Sequence, residues 1–108
     1  MNKPTDAVSK VQQLLLKIPR GKVVTYAELA RAMGKPRSVR AVGTWCGKNP
    51  EPDRFPCFKV VRSDGGLGGF ALGLPEKIRR LAEEGVMVEK GKVVDLQKRE
   101  FRFSPTDS

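Results

Sequence analysis

From Asp6 to Ile18 the apolar positions Val8, Val11, Leu15 and Ile18 recur at intervals of three and four, and Leu14 widens the stripe. That period predicts an amphipathic helix packed on a core, ended by Pro19-Arg20-Gly21. Thr25, with Glu28 three residues on, has the form of a capping box. A short helix carrying Leu29, Ala30 and Met33 is expected there, with Gly34 as its stop. Pro36 suits the first turn of a further helix. On it Val39, Val42, Gly43 and Cys46 make a narrow buried stripe, while Arg37, Arg40 and Thr44 repeat with the same period on another face. A short helix, a glycine turn and a second helix with a basic outer face predict a helix-turn-helix.

Beyond it the period weakens. Asn49 to Phe55 is a proline-rich connection, and Val60 and Val61 suggest a brief extended segment. The stretch from Ser63 to Gly69 holds four glycines in seven residues and is expected to be a loop, either flexible or built to approach a ligand closely. Pro75 to Glu84 predicts another helix, with Ile78, Leu81 and Ala82 inward and Gly85 as its stop. Val86 to Asp95 reads as a hairpin turning near Lys90-Gly91. The final FSPTDS reads as a tail that frays from residue 104. The expectation is one domain over 1–108, mainly α with small β elements.

Composition changes this picture through charge. The chain has 108 residues, enough to bury one core, and a net charge of +9 with a pI near 10. So basic a domain points to a polyanion, with DNA the first candidate; the alternative is a highly soluble basic protein without such a partner. Cys46 and Cys57 are the only cysteines and there is no histidine, which argues against a metal site and against a disulfide framework. Apolar runs are short and MNKPTDAVSK lacks a signal-peptide core, so no membrane association is expected. An intracellular monomer with reduced thiols is the expectation.

Within FPCFKVVRSDG, Cys57 is read either as a nucleophile or as a small core residue. Taken with IPRGKVVTYAELA, RSVRAVG, KNPEPDRFPCFKVVRSDGGLGGF and LAEEGV, in that order from about Val11 to Val86, this stretch resembles the O-6-alkylguanine-DNA alkyltransferases. The likeness is to their C-terminal domain, a winged-helix-like helix-turn-helix; the family's usual N-terminal domain has no counterpart in the 108 residues. The resemblance implies a single-turnover repair protein that binds double-stranded DNA through the minor groove. It would flip O-6-alkylguanine out of the stack and move the alkyl group irreversibly to Cys57, without a cofactor. Tyr26 would crowd the 3′ phosphate and bond the guanine ring. Arg40 would be the finger filling the vacated space, with Arg37 and Thr44 beside it on the DNA-facing helix. Asn49 would tie that helix to the cysteine loop. Main-chain groups of Cys57, Val60 and Ala71 would read the guanine edge against Phe70. From the residues alone, Arg40 reads equally as a surface arginine, Tyr26 as a packing tyrosine, Asn49 as a turn residue and Phe70 as core.

One departure bears on mechanism. In the family a histidine and an arginine follow the cysteine; here Phe58 and Lys59 do. Glu84 matches the glutamate of a cysteine–histidine–glutamate relay whose middle member is missing. Loss of a general base typically costs about 10²–10⁴-fold in rate. Transfer at a reduced rate is the favoured reading. The alternative is a non-transferring lesion sensor of the alkyltransferase-like kind, which flags the lesion for nucleotide excision repair proteins. Those relatives commonly replace the cysteine and keep the histidine, the reverse of this chain. A DNA-binding protein unrelated to alkylation, with Cys57 inert, is the third reading.

Overall fold

The computed structural model describes residues 6–104. Helix α1 spans Asp6–Leu15 and is fastened by Val11, Leu14 and Leu15, each at most 1 % exposed. Burial of each such side chain contributes about 1.5–3 kcal/mol. The helix was expected to reach Ile18 but tightens first, Lys17 N–H donating to Leu14 O at 3.0 Å and Ile18 N–H to Leu15 O at 3.3 Å. These are the shorter i→i+3 turns that close a helix end, and Pro19 then has no N–H to continue it. Strand β1 (Val24–Thr25) leads directly into α2 (Tyr26–Ala32).

Thr25 caps α2 as expected, its hydroxyl accepting from Glu28 N–H at 3.0 Å. The return arm of the box does not form. Glu28 instead accepts from Arg31 Nε at 2.7 Å and from Phe103 N–H at 2.9 Å, so its carboxylate anchors the chain end to α2. Phe103, the first residue of FSPTDS, is buried and packs edge-to-face on Phe101 at 5.1 Å, so it belongs to the core and not to a tail; residues 105–108 lie outside the described residues.

Gly34, at φ +76°, stops α2. Helix α3 (Val39–Gly47) begins later than expected: Pro36 and Arg37 lie in a turn before it, closed by Ser38 N–H on Lys35 O at 2.9 Å. Val42 and Cys46 face inward, but Val39, the first helical residue, is exposed, a correction to the predicted stripe. After α3 come a single 3₁₀ turn at Cys57–Lys59 and strand β2 (Val60–Val61), parallel to β1 with Val24 opposite Val60. Helix α4 (Leu74–Glu83), the hairpin β3 (Val88–Glu89) and β4 (Lys92–Val93), and a short α5 (Leu96–Arg99) complete the described fold. The hairpin turns at Lys90-Gly91 as expected, with φ of 51° and 78°, the paired positive values of a type I′ turn. Helix α5, only four residues long, has no period to betray it and was not anticipated.

The largest correction concerns α4. Ile78 is 39 % exposed and Ala82 is exposed, whereas Lys77 is 0 % exposed beside fully buried Leu81. The helix is rotated by about one residue, roughly 100°, from the orientation its apolar residues predict.

Two apolar clusters fill the interior. One gathers α1, α2 and α3 with Phe55, Cys57 and Val60; the other holds Val23, Phe58, Val61, Leu67, Leu81, Val86 and Val93. The cysteine turn sits on their boundary. Successive residues on a 3₁₀ turn point about 120° apart, so Cys57 enters the first cluster and Phe58 the second.

Candidate active site and DNA-facing surface

Cys57 lines a cavity of about 530 Å³ together with Tyr26, Cys46, Arg62, Phe70 and Ala71, and glycines 43, 47, 68 and 69 complete the wall. The structure thus brings α2, α3, the cysteine turn and the glycine loop around one thiol. Of the expected site residues, Cys57, Tyr26, Phe70 and Ala71 meet here.

Asn49 is buried just outside the wall. Its Nδ2 donates to Phe55 O at 2.8 Å and its Oδ1 accepts from Glu51 N–H at 3.0 Å, so one side chain stitches the exit of α3 to the approach to the cysteine. Its side chain is also one of the groups that favour the Cys57 thiolate. Burial pushes the Cys57 thiol up, while Asn49 and the charges of Lys77 and Arg80 pull it back down. Cys46, in the same cavity, is pushed up to about 12, first by burial and then by Cys57.

Tyr26, the first residue of α2, is raised to about 12, chiefly by burial and then by the two thiols. Its ring explains a glycine. A Cβ on Gly68, whose φ is +67°, would stand 2.7 Å from the Tyr26 hydroxyl oxygen. No side chain fits there without moving the phenol.

Val60 lies behind the wall. Its N–H donates to Cys57 O and its carbonyl accepts from Lys77 Nζ at 2.7 Å. Glu84 is likewise off the cavity wall: it accepts from Gly21 N–H at 2.9 Å and pairs with Lys59 Nζ at 3.1 Å. The side chains of Lys59 and Glu84 are only 7 % and 13 % exposed. Lys59 additionally donates to Ile18 O at 3.2 Å. The glutamate that would end a proton relay is therefore engaged on the far side of the turn, where Phe58 packs in the second cluster.

Helix α3 presents Arg40 and Thr44 to solvent, Thr44 Oγ1 donating to Arg40 O at 3.3 Å. Arg40 precedes the cavity residues Gly43 and Gly47 by three and seven positions, placing it on the side of α3 that bears them. Arg37 is exposed but sits in the turn before the helix, off the period that was to align it with Arg40.

Lys77 was not singled out from the sequence. It is fully buried, and its Nζ donates to Val60 O, to Leu67 O, and to Gly69 O at 3.2 Å. Burial pulls its ammonium down to about 8, and Cys57 and Cys46 act in the opposite direction. The available signal was weak: in LPEKIRRLAEEG, Lys77, Leu81 and Glu84 share a face at spacings of four and three, but an apolar reading assigns that face to Ile78.

Among the described residues no group of three or more metal-ligating side chains occurs, and no helix is long and apolar enough to cross a membrane.

The family model for the DNA-binding domain of 6-O-methylguanine DNA methyltransferase matches residues 6–86. The chain belongs to this family. A bifunctional methyltransferase/endonuclease of Picrophilus torridus is 43 % identical over 103 residues, covering 95 % of this chain but only 34 % of that protein. The chain thus spans about a third of the length of that relative. Among solved structures, Mycobacterium tuberculosis OGT in complex with DNA superposes with a TM-score of 0.73 at 36 % identity, over 76 % of this chain and 51 % of that one. Atl1 of S. pombe, in complex with damaged DNA containing O6-carboxymethylguanine, superposes with a TM-score of 0.81 at 29 % identity, over 94 % and 99 % of the two chains. The mainly helical fold with its helix-turn-helix is that of the DNA-binding domain of the 6-O-methylguanine methyltransferase family.

Proposed function

We propose that this domain binds double-stranded DNA from the minor groove, receives an extruded O-6-alkylguanine in the cavity, and transfers the alkyl group to Cys57. The observation that carries this reading is the thiol itself, on the wall of a cavity of about 530 Å³ that Tyr26 and Phe70 also line. In the reaction the Cys57 sulfur bonds the alkyl carbon as the carbon–oxygen bond breaks. The electron pair goes to the guanine oxygen, the thiol proton is lost, and guanine takes up a proton. No soluble cofactor enters that balance. Arg40, on the side of α3 that bears the cavity glycines, would fill the gap left in the stack, with Arg37 and Thr44 on the flanking backbone. Asn49 positions the sulfur, and Tyr26, held protonated to about pH 12, can donate to the flipped base. Phosphate contacts by a chain of net charge +9 make binding fall steeply with salt.

Incubation with duplex containing O-6-methylguanine should add the mass of one methyl group, on the Cys57 peptide, and Cys57→Ala should remove the addition. Unmodified protein after prolonged incubation, with lesion binding intact, overturns transfer.

The second reading is a lesion sensor that marks O-6-alkylguanine for nucleotide excision repair proteins. It is favoured by the buried Phe58 where a histidine would stand, and by the Glu84–Lys59 pair. The likeness to Atl1 over 99 % of that chain supports it too.

A further inference from the structure

Cys57 is packed where ionisation is costly, and the chain has no histidine to take its proton. The groups that face it come from every neighbouring element. Tyr26 and Cys46 approach from α2 and α3, Arg62 lines the cavity past β2, Asn49 acts from the exit of α3, and Lys77 and Arg80 act from α4. The two nearby anions-to-be, Tyr26 and Cys46, oppose a thiolate. No carboxylate lines the cavity.

The cations differ in what already neutralises them. Arg80 is held by Glu76 at 2.7 Å and by Asp53 at 2.6 Å, and Lys59 by Glu84 at 3.1 Å. Lys77 has only carbonyls. Its three N–H bonds go to Val60 O, at the end of the cysteine turn, and to Leu67 O and Gly69 O of the glycine loop, Gly69 being part of the cavity wall. An amine donating three hydrogen bonds is an ammonium, with no lone pair free to act as a base. Carbonyl dipoles hold the charge in place without cancelling it, and little water is present to screen it.

We propose that Lys77 is the positioning residue that makes Cys57 ionisable: its ammonium, fixed behind the cavity wall, supplies a positive field that favours the thiolate in a chain with no histidine to take the proton. The thiol proton leaves to solvent, which still reaches Cys57 through its 6 % exposed surface, while at neutral pH, below the value of about 8 to which burial pulls it, Lys77 stays an ammonium. This rests on the transfer reading only for its biological use.

The test follows the rate of iodoacetamide alkylation of the Cys57 peptide at pH 7, where Lys77 is charged, and at pH 10, where it is not, by mass spectrometry and without DNA. In Lys77→Gln, whose amide can still donate to the same carbonyls, alkylation at pH 7 should slow about tenfold, the effect of about one pH unit, and approach the wild-type rate at pH 10. Lys77→Met should slow it at least as much at pH 7, and serves if the glutamine variant does not fold. Lys77→Arg, which retains charge, should stay near the wild-type rate. An unchanged rate at pH 7 in a folded neutral variant overturns the proposal, as does an equal loss in the arginine variant. A normal iodoacetamide profile combined with no methyl uptake from DNA would count against alkyl transfer and leave Lys77's role standing.

Discussion

One buried lysine ends the cysteine turn and a second packs behind it, and they are used in opposite ways. Lys59 faces away from the cavity and meets a carboxylate, Glu84, at 3.1 Å, with carbonyls of Ile18 and Pro19 beside it. Lys77 lies behind the cavity wall and meets carbonyls alone. A cation beside its own anion projects little field, so Lys59 joins the turn to the rest of the fold. A cation held by neutral dipoles keeps its field, and Lys77 pulls the Cys57 thiol down more than the carboxylate-paired Arg80 does. The difference teaches that burial of a lysine does not define its role; its partner does.

The largest expected effect breaks the Lys59 side. Glu84→Gln leaves a buried ammonium without its anion and should cost about 3 kcal/mol of stability in denaturant unfolding. The double change Lys59→Met with Glu84→Met should recover most of that loss and leave the rate of Cys57 alkylation at pH 7 where it was. A rate that falls with the double change would merge the two lysines' roles.

Gly68→Ala strains the Lys77 side. Its backbone is in the left-handed region, and its Cβ would meet the Tyr26 hydroxyl at 2.7 Å, between the carbonyls of Leu67 and Gly69. A loss of about 1–2 kcal/mol from backbone strain is expected, together with weaker lesion binding as Tyr26 is displaced. Retained affinity in a mobility-shift titration would show that the phenol has room to move.

Alkaline titration measures how dry the cavity is. The unfolded Cys46 thiol ionises near 9, whereas the folded one keeps its proton to about 12. The native state therefore binds more protons between those values, and stability falls as pH rises through that window. Thermal melts of Cys46→Ala should decline less steeply there; parallel curves would mean that water solvates the thiols.

Phe58→His has the smallest expected effect. Glu84 is engaged by Lys59 and Gly21, and position 58 faces the second cluster, so the gain in transfer rate should stay below about tenfold. A gain of about a hundredfold or more would show that the imidazole reaches Cys57 and that Lys77 is not the main source of activation.

Periodicity and punctuation made much of this legible. The α1 stripe, the Thr25 cap, the Gly34 stop and the Lys90-Gly91 turn depend on neighbours a few residues apart, and local rules describe them. Family membership rode on motifs in order, and with it came Cys57, Tyr26, Phe70 and Ala71, which the structure gathers on one wall. The misses share a physical cause. Glu28 left the capping box for Phe103, 75 positions away, and Val39 lost its place on the buried stripe because the helix starts there.

By itself, then, the chain determined its elements, its basic character and the thiol in its cavity loop. Tertiary structure decided the charges. Which face of α4 turned inward depended on three carbonyls from β2 and the glycine loop, eight to seventeen positions away, that could satisfy an ammonium. Hydrophobic period carries no record of such acceptors, because a carbonyl belongs to every residue and only the fold says where it points.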